Sequence, residues 1–478
     1  MENSHYISRR NCLSQMGTGF GMLALADMLA AESRAATAAS ATSSGEPNRA
    51  AHPYAVRKPH HAPRAKRVIF LYMPGGPSHI DLFDPKPRLL KDNGKPLPFD
   101  KPKLEHTKTG DLLGSPWKFS KHGEAGIDIS ELLPHTAKCA DELCVIRSMH
   151  ADNINHTGAA AQMCTGEQAF SRPAVGSWVT YGLGTENQNL PGFIVMSPTP
   201  VFQGGQLYAS SFLPSSYQGT LVRDLKNPIA NLGSAAASHT RQRAKLDALR
   251  QLNEMHKHAR VNDSPLDARI AAFELAYRMQ LQAPEAFDLS QESLPTQALY
   301  GINDPVTDLF GRQCLLARRL VERGVRFIQL FDAPENNTWD HHGDLRKKLP
   351  KNCAAVDRPI AALLTDLRAR GLLDDTLVVW GGEFGRSPTA QGIDGREHHP
   401  FGFTMWLAGG GVRGGMIHGA TDEFGWYAIQ DKVHIHDLHA TILHLLGLDH
   451  TRLTYRYGGR DYRLTDVHGN VAHKILKG

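Results

Sequence analysis

Arg67-Val68-Ile69-Phe70-Leu71-Tyr72, followed at once by Pro74-Gly75-Gly76-Pro77, is the stretch on which the fold turns. Its apolar residues run without alternation, which suits a strand covered on both faces, as in a sheet between two helix layers. The Pro-Gly-Gly-Pro that follows stops the run in a tight turn. The same unit recurs downstream. A helical stretch from Asp304 to Arg323 leads to an apolar run at 325–330, and an amphipathic stretch from Ala354 to Arg370 leads to a second run at 376–380. A strand at 403–407 and a helix from His436 to Leu446 follow. Alternation of this kind predicts an α/β fold, a mainly parallel sheet flanked by helices.

Outward from these elements the pattern changes twice. Residues 203–300 carry two polar helical stretches, 241–259 and 266–282, that read as a helical insertion or cap. Residues 39–63 have Ser, Ala and Pro without an apolar period and read as a linker. The main domain is expected over 64–474. Before the linker stands Ser8-Arg9-Arg10-Asn11-Cys12-Leu13, then a small and apolar run from Met16 to Ala31. With the small-x-small site Ala36-Thr37-Ala38, these resemble a twin-arginine export signal over 1–38. That implies a periplasmic or secreted protein with no integral membrane span after cleavage.

The chain has 478 residues, 41% hydrophobic and 21% charged, a balance that excludes a disordered or collagen-like protein. Its net charge is only +5 and no Lys/Arg block stands out, so nucleic acid is not the expected partner. The five cysteines outside the leader are irregularly spaced, which is not a disulfide framework. Histidine is the unusual residue: 25 in all, twelve of them from His341 to His473, a surplus that points to metal ligation or proton transfer.

In open α/β sheets ligands collect outside the carboxyl ends of the strands, and the polar residues of interest fall there. His79 and Asp81 follow the first strand. Asp340, His341 and His342 follow the second. Gly381-Gly382-Glu383-Phe384-Gly385-Arg386 follows the third, and Arg396-Glu397-His398-His399 precedes the fourth. Imidazole and carboxylate on four loops are the ligands of Zn²⁺, Mn²⁺ or Fe²⁺, either one ion in open geometry or two bridged by a carboxylate. Asn155-His156-Thr157-Gly158 opens a small-residue helix whose N-terminus favours an anion. The late histidines His434, His436, His439 and His444 read as capping and packing residues of a helix with Asp437 as its N-cap.

At these residues the chain resembles the alkaline phosphatase–sulfatase superfamily, and more closely the secreted bacterial family called domain of unknown function 1501. The matching motifs are 74–81, 339–343, 380–386, 437–441 and 459–466. The resemblance implies a metal-dependent hydrolase acting on a sulfate or phosphate ester of a small molecule or polysaccharide. The cofactor implied is a divalent ion: Zn, Mn, Fe or Ca. The chain departs from the superfamily pattern in three places. Pro74 stands where the first strand should end in a metal-binding Asp, His156 stands at the nucleophile position, and Glu383-Phe384 replaces an Asp-His pair. The expected ligands are then His79, Asp81, Asp340, His342, Glu383 and His398. Arg386 is expected to clamp an oxyanion. His156 is expected either to be a nucleophile or to be a ligand while metal-activated water attacks. The alternative is a degenerate relative with a binding or structural role.

Overall fold

A computed structural model describes residues 53–100, 110–201, 204–225, 243–244, 247–249, 251–252, 264–335 and 338–478. The expected export signal, the first part of the expected linker and most of the helix expected at 241–259 lie outside the described residues.

The 67–72 run is strand β1 (Arg67–Tyr72), at the middle of a nine-stranded sheet. Its partners on either side, β5 (Phe327–Phe331) and β6 (Thr376–Gly381), are both parallel to it. The remaining strands are β2 (Leu143–His150), β3 (Phe193–Met196), β4 (Thr220–Val222), β9 (Phe403–Gly409), β10 (Met416–His418) and β11 (Val433–His434). The order is β10-β2-β9-β6-β1-β5-β3-β4, with β11 beside β2. The residues of β1 alternate between two cores. Ile69 and Leu71 pack with helices α4 (Asp308–Glu322) and α5 (Leu345–Ala369) on one face. Val68, Phe70 and Tyr72 pack on the other face with α2 (Val175–Leu183) and α6 (Ile435–Leu445). Both faces are therefore apolar, which is why the run shows no alternation.

Register levels the ends of the central strands. Tyr72 stands opposite Phe331 on one side and Gly381 on the other, so β1, β5 and β6 deliver their following loops at one height. One strand reverses. β9 is antiparallel to both β6 and β2. Only a hairpin, β7 (Gly385–Gln391) with β8 (Gly395–His399), connects β6 to β9, and without a crossover helix the chain can only return antiparallel. The start of β9 thus joins the ends of its neighbours at the same rim.

Local details also differ from the sequence reading. Helix α5 starts at Leu345, earlier than Ala354, and takes Pro350 and Pro359 within it. Helix α6 is capped by His434, with Asp437 at the third position closing a capping box. Within the 203–300 stretch, β4 belongs to the main sheet, and helix α3 (Ser264–Phe287) packs on α4. Residues 53–65 hold to the body of the fold. Arg57 N–H donates to Leu183 O, His60 N–H to Gly447 O, and Arg64 and Ala65 N–H to Leu445 O. The segment thereby satisfies carbonyls at the C-terminal ends of α2 and α6. The Arg64 guanidinium also donates to Lys477 O, next to the end of the chain. Among the described residues no helix is long and apolar enough to cross a membrane.

Leu71 is fully buried between β5 and β6. Leu71→Ala is expected to cost about 3 kcal/mol, read as a lower urea midpoint at unchanged slope.

Candidate metal centre

The turn after β1 lets the rim close. Gly75 and Gly76 have φ of 110° and 81°, a region that disfavours any side chain. A Cβ on Gly75 would lie 2.5 Å from Asp340 N, so the loops after β1 and β5 touch backbone to backbone. Trp339 N–H donates to Pro74 O at 2.9 Å, which fixes Asp340 beside the turn. From β2, Asn155 caps α1 (His156–Thr165) by accepting the Thr157 N–H, which places His156 at the head of that helix. The β7–β8 hairpin brings in His398.

Four of the expected residues meet here. His156, Asp340, His342 and His398 each offer one ligand atom within 4.8 Å of the others. Asp340 Oδ1 lies 2.9 Å from His342 Nε2 and 3.3 Å from His398 Nε2, and its Oδ2 lies 3.2 Å from His156 Nε2. Each ring is held from behind through Nδ1. His156 Nδ1 faces Glu383 Oε1 at 2.7 Å, His398 Nδ1 faces Ile154 O at 2.8 Å, and His342 Nδ1 faces Gln391 Oε1. An acceptor behind each ring takes the Nδ1 proton and turns Nε2 toward Asp340, where a cation would displace the proton that Nε2 shares with the carboxylate. His342 Nε2 and His398 Nε2 then stand 3.0 Å apart, a contact that needs a proton or a cation beside it. Alternation along the chain sorts the neighbours. His341 turns away to Asn352 and His399 to Trp426 O.

Charge follows the same plan. Burial opposes ionisation of Asp340, but Arg386 and the three imidazoles hold it well below the usual carboxylate range. Burial also pulls His156 down, yet its bonds to Asp340 and Glu383 win and lift it to about 8. Burial, with Arg386 and His156 adding to it, lowers His398 to about 4 despite Asp340.

The other expected site residues lie elsewhere or behind. Glu383 is not in the cluster. It accepts from Gly75 N–H at 2.8 Å and Tyr72 OH at 3.0 Å while holding His156, so it acts on the centre through that ring. Arg386 is fully buried. Its nitrogens donate to Gly76 O, Arg396 O, Gly75 O and Asp340 Oδ1, so it braces the turn and Asp340 and has no donor directed at a substrate. His79 faces Gly425 O at 3.0 Å. Asp81 forms a fully buried ion pair with Arg396, Nε to Oδ2 at 2.7 Å. Both sit on a single helical turn, 79–82, that aims them beneath the hairpin. Sequence reasoning did not single out Tyr72, Gln391 or the Ile154 carbonyl. Tyr72, a polar ring ending a buried strand, was the one legible signal.

The family model described as "Protein of unknown function (DUF1501)" matches residues 65–476. No curated protein matches the chain. Among solved structures it is similar to the lipoteichoic acid synthase LtaP from Listeria monocytogenes, with 9% identity, 84% of this chain and 77% of that one covered, and a TM-score of 0.36. A sulfatase from Pseudoalteromonas sp. has 13% identity, coverage of 85% and 72%, and a TM-score of 0.33. An alkaline phosphatase superfamily protein from Vibrio parahaemolyticus has 11% identity, coverage of 86% and 73%, and a TM-score of 0.36.

Two outcomes test this description. In chelator-treated protein His156 should titrate near pH 8, followed by NMR, and Glu383→Gln should lower that value. The raised value contributes stability that is full below roughly pH 6.5 and lost as pH rises through about 8. Asp81→Ala, which strands Arg396, should cost about 3–5 kcal/mol in thermal unfolding while leaving metal content unchanged.

Proposed function

Because the chain belongs to the DUF1501 family and its rim gathers three imidazoles on one carboxylate, we propose a metal-dependent hydrolase of sulfate or phosphate esters, exported through the twin-arginine route. The carrying observation is the convergence of three Nε2 atoms on Asp340 while each Nδ1 faces an oxygen behind it. His156, His342, His398 and Asp340 would hold the ion. Three nitrogens and one oxygen suit Zn²⁺, Mn²⁺ or Fe²⁺, whereas Ca²⁺ takes oxygen ligands. A bound divalent cation supplies a Lewis acid for an ester oxygen and activates water at neutral pH.

The protein's own groups do the rest. Glu383 keeps a proton on His156 Nδ1, Gln391 and Ile154 O set the other two rings, and Arg386 balances Asp340. His156 Nε2 faces Asp340 at 3.2 Å, a ligand's orientation, which favours attack by water over a phosphohistidine intermediate. The first turn of α1 presents its N-terminus beside this cluster and favours an anionic group there. A second reading, a binding or structural relative without turnover, is favoured by one observation: Arg386 spends its donors inside the protein.

Purified protein with its native metal, assayed on aryl phosphate and aryl sulfate esters, decides between them. Turnover abolished by Asp340→Ala and reduced about 10- to 100-fold by Glu383→Gln supports hydrolysis. Bound metal with no turnover on either ester class supports the second reading.

A further inference from the structure

A second group of imidazoles gathers beside the centre. β11 runs parallel to β2 with His434 opposite His150, and beyond them a cavity of about 480 Å³ opens. Asp152, His434, His436, Asp437 and His468 are in its wall. We propose that this cavity is a separate site for a late first-row divalent cation such as Zn²⁺, ligated by Asp152, His434 and His436 with His468 alongside. It shares no residue with the first cluster and stands whether or not the chain hydrolyses esters.

Geometry and burial carry the proposal together. One ligand atom from each of Asp152, His434 and His436 lies within 4.8 Å of the others. His436 is 6% exposed, and its Nδ1 has no hydrogen-bond partner in the fold. A buried ring nitrogen without a partner is costly, and a cation bound at Nδ1 would supply one. The rings of His434 and His468 flank His436, with centroids at 4.9 and 5.2 Å. Imidazole with carboxylate selects zinc-like ions over Mg²⁺ or Ca²⁺. Asp152 is itself anchored: its N–H donates to Gln162 Oε1 at 3.2 Å and its carboxylate accepts from the same side chain.

Ligation changes one local bond. His434 Nδ1 accepts the His436 N–H at 3.2 Å while Nε2 faces Asp152 Oδ2 at 2.9 Å, so the ring carries its proton on Nε2. Binding at Nε2 shifts that proton to Nδ1 and gives up the capping bond. The ring stays neutral and no proton leaves. A single cap is weak beside a metal–imidazole bond.

The test uses untagged full chain, stripped with chelator and titrated with Co²⁺ by visible absorption and with Zn²⁺ by elemental analysis. Two equivalents are expected in the wild type. His434→Asn, which retains an N-capping side chain, and exposed Asp152→Asn should each weaken one equivalent about 10- to 100-fold and leave the other intact, with circular dichroism confirming the fold. A wild type that binds one equivalent, undiminished in His434→Asn, overturns the proposal and leaves the first centre untouched. Two equivalents that persist unchanged in the His434→Asn, Asp152→Asn double variant overturn it as well.

Discussion

A guanidinium buried to zero exposure cannot shed its charge, so it must find an anion and spend its donors on protein atoms. Arg386 does both. Its donors tie the Gly75-Gly76 turn to the β7–β8 hairpin, and its counter-ion is Asp340. The rest of the rim is arranged around that pair. Asp340 remains ionised because Arg386 faces it, and an ionised Asp340 collects the three Nε2 atoms. The loops after β1 and β5 lie close enough for this because Gly75 has no side chain. The residue expected to grip a substrate is thus the one that holds the centre in shape.

Much of the architecture could be read from residue pattern, and particular elements show why. β1 has cores on both faces, so burial leaves no alternation, and the Pro-Gly-Gly-Pro turn marks its end. The direction of β9 was not legible, because a strand's period carries no direction. What decides it is the hairpin 385–399, whose buried residues are largely polar and give no strand signal. In the site, Asp340 and His342 are two apart on one loop and face together, while His341 between them turns to Asn352. His398 and His399 part for the same reason. His79 and Asp81 carry ligand chemistry but lie on one helical turn, whose geometry sends them to Gly425 O and Arg396. The acceptors behind the rings were least legible, since a carbonyl such as Ile154 O can belong to any residue.

The two histidine clusters differ in how their rings are primed. In the rim cluster an oxygen acceptor stands behind every ring, so each Nε2 is turned toward Asp340. In the cavity by α6 the His434 ring accepts a backbone N–H and has its proton directed at Asp152, the opposite tautomer. The first arrangement presents a candidate ion with rings already turned toward it. The second is a helix cap with which a metal would have to compete, so ions would be selected differently at the two.

Arg64 and Lys477 meet at the edge of the sheet where the parallel strands begin, one strand length, roughly 20 Å, from the rim where they end. The residue just before the central strand and the last turn of the described chain therefore meet beneath the sheet. A short bridge from Lys477 to Arg64 would close the sheet and its helices into a ring that could be reopened at a different loop, away from the rim.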